Sequence, residues 1–515
     1  MSVLILPPEL ILEVLKLLDY RGLVLCTGVC RLFRVAIKDS AELRYKIELA
    51  ADGMADGPPG MLSIAERLKL LLDRRRRWRM LDWTTAVPVP IPGACQAYEL
   101  VSGVFAKSMG AAQFVGSRHL ITVKLPTRTQ GPTRLVREDL GVATRDFAID
   151  PSQDIMALVD SDEGYEQGLE LKVHIRTIST NEKHPEAKGL ELRAPLPIEL
   201  GSAFTQIVDD VVGTFYWMHG PWLTIWNWKT GEVLVCCDMD DLPPGTWDFS
   251  FLSNRAFMLT TTRDMGTIEL YAFGGDTATR APAHVATLQL PPVRLGRELQ
   301  QFSTHSGPFV HATTPNKPFA VSRDSRIHFM TLLYGFRAPR FHLFVHNRFL
   351  LSFIPTDCRS GSSWNYEIRP WYTWGPDHTR LLLEDNISFQ WLRYVHGQRV
   401  VLPHLHTDVG KAERTLRVLD FNVHPKRIDD FTNDPTFQER AEELGAKYHM
   451  RAEPSTVPAG AVFKHDIVTS LPYWESQRMG AFDYSGFMID DERIIGMKSR
   501  AHASGDMTDV DVYTF

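Results

Sequence analysis

Residues Leu6–Ile37 read LPPELILEVLKLLDYRGLVLCTGVCRLFRVAI. Pro7 and Pro8 suit a helix start, where the missing N–H groups would have no intrahelical acceptor. Glu9 in the first turn favours the positive end of the helix dipole. Leu10, Val14 and Leu17 recur at helical spacing, and so do Ile11, Leu15 and Leu18, giving two apolar stripes side by side. A surface helix of a small domain needs one such stripe, roughly 100° wide. Asp19-Tyr20-Arg21-Gly22 forms a break, and a short apolar turn of helix is expected at Leu23–Cys26, interrupted near Gly28. A third helix is expected from about Val29 to Lys38, with Val29, Phe33 and Ile37 on one stripe. Units this small bury too little surface to cover all these side chains alone. The surplus either meets a partner or packs as a cap on the domain that follows.

The 515-residue chain has room for one small module and one large domain. Hydrophobic content of 44% and charged content of 23% are those of a globular protein. A net charge of −6 argues against a general nucleic-acid binder. The cysteines, Cys26, Cys30, Cys95, Cys236, Cys237 and Cys358, form no C-x-x-C pair and read as packing residues in a reducing compartment. The apolar N-terminus is interrupted by Pro7-Pro8, Glu9, Glu13 and Lys16, so neither a signal peptide nor a membrane span is expected. The expected location is cytoplasmic, nuclear or both.

Downstream, Ser63 and Glu66 fit a capping box that opens a second helical stretch, Ser63 to about Leu81. It ends in Asp73-Arg74-Arg75-Arg76-Arg77-Trp78-Arg79. The arginines read as a nuclear-localisation or phosphate-contacting patch, or as a solvated helix end paired to Asp73 and Asp82, with Trp78 and Trp83 pinning the helix to the next domain. Val87-Pro88-Val89-Pro90-Ile91-Pro92-Gly93 forbids helix and reads as an extended strut at a domain boundary.

From about residue 95 the texture changes to short β runs. They begin at Leu120, Lys172, Trp222, Ile268, Ile327 and Ile387, spaced 46–60 residues apart, and Val510–Phe515 ends the series. That period suits propeller blades of four strands each, closed into a ring without free edges. Leu416–Phe421 adds a strand out of phase, and an insertion is expected around residues 425–480, with a helix near Phe437–Leu444. The competing fold is an array of split β-sandwiches. The fold class is thus α plus all-β: residues 1–50 a three-helix module, 51–86 linker helices, and 87–515 a six- or seven-bladed propeller-like domain.

No nucleophile elbow, zincin or Walker motif is present. His404 with His406, and His342 with His346, lack a third metal ligand at a recognisable spacing. Asp209-Asp210, Asp240-Asp241, Asp429-Asp430 and Asp490-Asp491 lack the alternation of a calcium loop and read as solvated turn residues. No catalytic, cofactor or metal residue is assigned. Most tryptophans of the β half are expected in inter-blade core, while Trp364, Tyr366, Trp371 and Trp374 form a candidate exposed target-binding element.

Leu6-Pro7-x-Glu9-Leu10-Ile11, with Val14, Leu17-Leu18, Leu23, Val29-Cys30-Arg31-x-Phe33 and Ile37, resembles an F-box, and Leu43–Gly53 adds a resemblance to a large fungal group of F-box proteins. Phe33 stands where that motif often has Trp, and Tyr20-Arg21-Gly22 replaces its usual Asp-Leu junction. The resemblance covers under a tenth of the chain. It implies binding to the Skp-type adaptor of a cullin–RING ubiquitin ligase through Leu6, Pro7, Glu9, Leu10, Ile11, Val14, Leu18, Leu23, Val29, Cys30 and Phe33. It implies a target protein on the β domain, and a receptor with no catalytic residue or cofactor. The alternatives are a propeller scaffold with a helical cap and no ligase role, or an enzyme whose site is assembled from distant loops.

Overall fold

In a computed structural model of the chain, the described residues are 7–109, 116–160, 170–195, 202–217, 219–274, 281–312, 317–335, 339–355, 366–383, 392–402, 414–423, 434–499 and 507–515. Four short helices come first: α1 (Pro8–Lys16), α2 (Tyr20–Val29), α3 (Arg31–Asp39) and α4 (Ala41–Ala51). Each has a local reason to start. Pro8 opens α1; the Asp19 carboxylate accepts from Gly22 N at 2.8 Å; Cys30 Sγ accepts from Phe33 N at 3.5 Å; and Ser40 Oγ accepts from Leu43 N at 3.4 Å. The interruption expected at Gly28 is absent. Helix α2 runs through it to Val29, and the break falls at Cys30, whose backbone is extended (φ −156°, ψ 165°). The helices share a small core of Ile11, Leu15, Leu23, Ile37 and Leu43.

The capping box at Ser63 and Glu66 forms as expected and opens α5 (Ile64–Met80). The arginine run that follows is not a solvated helix end. Arg74 and Arg79 are buried where α5 lies on the β domain, and Arg75 is buried against the end of α4. Arg75 pairs with Asp52 at 2.7 Å and Glu48 at 2.8 Å. Arg79 sits 3.9 Å over the Trp474 ring. Arg74 donates to the Asp491 carbonyl at 2.8 Å. The pairing expected with Asp73 and Asp82 is made by Arg77. Trp78 stacks on Phe515 at 4.0 Å, and Arg478 covers Trp83 at 3.5 Å, so both tryptophans do pin the helix.

The β domain is a ring of seven blades, each an antiparallel sheet of four strands, two of them extended by a fifth. The innermost strands are Tyr98–Val101, Thr144–Asp150, Ser202–Val208, Thr246–Ser253, Gln301–His305, Val395–His396 and Gly486–Ile489, for blades 1 to 7. The proline-rich stretch is no strut between domains. Thr85–Gly93 is a strand, pairing antiparallel with Met507–Thr514 as the outermost strand of blade 7. The two ends of the β domain therefore close the ring together. Val89 and Ile91 are buried, while Pro88, Pro90 and Pro92 are exposed. An edge strand tolerates proline where the backbone N–H would face away from its partner, and alternate positions do so.

The period read from the sequence follows mostly the third strands of the blades. Leu120–Lys124, Glu170–Thr177, Pro221–Asn227 and Thr267–Ala272 hold that place in blades 1 to 4, and Arg414–Asp420 holds it in blade 6. The run that read as out of phase is thus in phase. Ile327–Leu333 is a second strand, and most of the Ile387 run lies outside the described residues. The insertion lies between the third and fourth strands of blade 6 and ends before Tyr473–Gly480, expected within it but itself the fourth strand. Its helix, Pro435–Glu443, places Phe437 against Met80 of α5.

Removing the Trp78 ring should loosen helix and ring together. Trp78→Ala is expected to cost about 3–5 kcal/mol, the usual range for a buried large aromatic. Arg76→Ala, whose Asp434 partner lies 3.7 Å away near the surface, should cost under about 1 kcal/mol. Thermal unfolding of the two variants checks the contrast.

Candidate functional site

The helical head carries an unpaired apolar face. Ile11 and Leu15 of α1 point into the small core, which leaves Leu10 at 51% and Leu17 at 85% exposed, with Val14 alongside. On α2, Leu23 is buried while Leu25 (74%) and Val29 (67%) are exposed, and Leu32 and Val35 of α3 are exposed too. Single exposed leucines are ordinary, but this many on three adjoining helices mark an interaction surface. Of the residues implied by the F-box resemblance, Pro7, Glu9, Leu10, Val14 and Val29 are exposed, and Leu18, Cys30 and Phe33 are half-buried. Ile11 and Leu23 lie within the head's own core and shape the face from behind. Leu6 lies outside the described residues.

Contacts with the ring come from α4 and α5. The Tyr45 hydroxyl donates to Asp56 at 2.7 Å, and Arg67 donates to the same carboxylate at 2.8 Å. Met54–Asp56 pairs antiparallel with Phe319–Val321, in the long segment 306–326 between the first two strands of blade 5. The described part of that segment straps across the face where the inner strands end. His311 Nδ1 lies 2.8 Å from Asp209 of blade 3, and Arg323 pairs with the same carboxylate. Lys317 reaches Glu492 of blade 7 at 3.4 Å. Arg326 is buried 3.6 Å from the Phe309 ring and donates to the Pro308 carbonyl at 3.0 Å. Asp209 and Asp490 are therefore buried and paired, and Asp491 is largely covered, rather than solvated turn residues. Asp240 and Asp241 are exposed, as expected, and Asp429-Asp430 lies outside the described residues.

The strap borders a cavity of about 130 Å³ at the ring axis, lined by Glu99, Gln206, Asp248, His305, Phe309 and Arg393 among others. Glu99 of blade 1 pairs with Arg393 at the start of blade 6, and Ile489 N of blade 7 donates to the Arg393 carbonyl at 2.9 Å. A repeated device joins other blades. In Thr144-Arg145-Asp146-Phe147 and Thr246-Trp247-Asp248-Phe249 the inner strand bulges at the second residue. The aspartate then accepts a backbone N–H from the next inner strand, Thr205 at 3.1 Å for Asp146 and Thr304 at 2.7 Å for Asp248. This four-residue repeat was visible in the sequence, but it does not stand out among β runs without their register. Burial pushes both carboxyls up to about 7, against the backbone hydrogen bonds.

The candidate target-binding element does not form one exposed surface. Trp371 and Trp374 are in the core, Trp374 at 2% exposure and donating from Nε1 to the Gln289 carbonyl at 3.1 Å. Gly375 permits this packing, because a Cβ there would sit 2.4 Å from the Trp371 ring. Tyr366 is exposed, with its hydroxyl 2.9 Å from Thr287 Oγ1. Trp364 lies outside the described residues, as do His404 and His406. His342 and His346 are buried in a strand of blade 5. No helix among the described residues is long and apolar enough to cross a membrane.

Comparison with known proteins bears on the helical head. Residues 3–49 match the F-box-like family model. No curated protein matches the chain. Among solved structures, the WD40 domain of coronin from Toxoplasma gondii is similar at 11% identity and a TM-score of 0.39, over 84% of this chain and 86% of that one. The WD40 domain of SCAP from fission yeast is similar at 9% identity and 0.35, over 84% and 94%. Sqt1 of Chaetomium thermophilum is similar at 11% identity and 0.32, over 73% and 82%. At such scores these likenesses carry no argument, and the seven blades rest on the strand pairing itself. The chain is an F-box-like helical domain joined to a seven-bladed β-propeller.

A carboxyl with a raised folded pKa contributes most at low pH. Its contribution is full below the unfolded value near 4 and is lost as pH rises to the folded value. Wild type should therefore lose stability relative to Asp248→Asn between about pH 4 and about 7, and hold level above. Melting temperatures of both proteins across that range test the sign; a gain by wild type would contradict it.

Proposed function

We propose that this chain is the substrate-recognition subunit of an SCF-type cullin–RING ubiquitin ligase. The exposed apolar face of α1–α3 binds the Skp-type adaptor, and the propeller holds a target protein. The observation that carries this reading is the exposure of Leu10, Val14, Leu17, Leu25 and Val29 within the segment that matches the F-box-like model. A cap serving only its own ring would turn that arc inward. Here α4 and α5 make the contacts with the ring, and the arc stays open to solvent.

The role is non-catalytic. A receptor of this kind raises the effective concentration of target lysines near a charged E2 enzyme and adds no reacting group of its own. The location that fits is cytoplasm, nucleus or both, where adaptor and cullin are available.

Capture of purified full-length chain on immobilised Skp-type adaptor tests the reading. Wild type should be retained. Leu17→Asp/Val29→Asp, at two highly exposed positions, should lose binding by about a hundredfold or more while melting as wild type does. Failure of wild type to bind the adaptor would remove the ligase role and leave the scaffold reading.

A further inference from the structure

A groove lies where the head meets the ring, between α5, the strap and blades 7 and 1, with a volume of about 410 Å³. That is within the usual range for ligand sites, roughly 300–1,000 Å³. Its charge is opposite to that of the protein. The whole chain carries −6, yet the groove is lined by Arg74, Lys124, Arg128, Lys317 and Arg493 against Asp491 and Glu492, with Asp73 3.8 Å from Arg128 and Asp490 3.0 Å from Arg493 behind the lining. Lys124 is exposed and has no ion-pair partner among the described residues. Met54, Leu125 and Phe319 supply buried apolar lining.

The Asp491 carboxyl registers the cations around it. Burial would raise the Asp491 carboxyl, but His396, Lys317 and Arg74 outweigh it and hold it far below the usual carboxylate range. Burial, helped by the neighbouring Arg399, pushes the Arg74 guanidinium down to about 10, with Asp491 and Asp52 opposing. A bound anion would supply the counter-charge that Lys124 lacks among the described residues.

We propose that this head–ring groove binds an acidic, extended peptide segment of a target protein, with a carboxylate on the rim at Lys124 and apolar side chains against the half-buried Leu70. A nucleic acid fits less well. Base stacking needs accessible aromatic faces, and the aromatic rings of the lining, Phe319 and Phe515, are buried. The proposal rests on the receptor reading only in taking the occupant to be a target segment.

The experiment is fluorescence polarisation of a labelled peptide alternating Glu and Leu, titrated with full-length chain in the absence of adaptor. Saturable binding that weakens as salt is raised is expected. Lys124→Glu, which changes the lining to four cations and three anions, should weaken it by about tenfold or more. The same variant should melt normally and be captured by the adaptor as wild type is. No saturable binding, or equal binding by the variant, would overturn the proposal. So would displacement of the peptide by a single-stranded oligonucleotide at lower concentration, which would make the groove a nucleic-acid site. Because the adaptor is absent from the titration, failure here leaves the ligase reading standing, and failure of adaptor capture leaves this result standing.

Discussion

The pairing of Thr85–Gly93 with Met507–Thr514 is the constraint on which the rest of the structure depends. It joins strands more than 400 residues apart and completes blade 7. The loop-closure entropy for so long a separation is repaid only when the ring shuts as a unit. The closing strand follows α5 after a few residues, and Trp78 of α5 stacks on Phe515 at the end of its partner strand. Closure of the ring and placement of the head are therefore one event. The three prolines leave the outer edge of that strand without donors, which also discourages further strand pairing there.

Burying three arginines of α5, two against the ring and one against α4, carries a large desolvation cost, so their value lies in orientation more than in net stability. Arg75 is satisfied by two carboxylates, Arg79 by an aromatic face, and Arg74 by a backbone carbonyl of blade 7. Each arrangement fits one placement of α5. The pairing of Met54–Asp56 with the strap adds a second attachment, roughly opposite in sequence and independent in chemistry. A head held at two points keeps its apolar face at a fixed distance and angle from the propeller. The proposed receptor role would use this, because target lysines must be presented within reach of a distant enzyme.

The elements most legible in the sequence were those governed by local chemistry. Pro7-Pro8 started a helix, Ser63 and Glu66 capped one, and β runs at a steady period announced a ring. Features set by long-range packing were not legible. An alternating Pro-apolar stretch has the pattern of an isolated extended strut as well as that of an edge strand, and only the distant partner decides. Arg74–Arg79 has the composition of a solvated helix end until Trp474, Asp52 and Glu48 arrive from elsewhere. Trp371 and Trp374 sit in a Gly-containing segment that resembles a loop, and the close approach allowed by Gly375 turns them inward. On the head, spacing alone gave two apolar stripes on α1 without saying which was core. The structure assigns Ile11 and Leu15 to the core and Leu10, Val14 and Leu17 to the surface.

The central claim is that head and ring form one body with an open apolar face on α1–α3 of the head. Hydrogen exchange of the full chain, alone and with the Skp-type adaptor, tests it most directly. Slow exchange across Ile64–Met80 and Thr85–Gly93 in both states, with adaptor-dependent slowing confined to Pro8–Asp39, is the expected result. Fast exchange in the closing strand of the free chain, or protection by the adaptor that spreads into the blades, would contradict it.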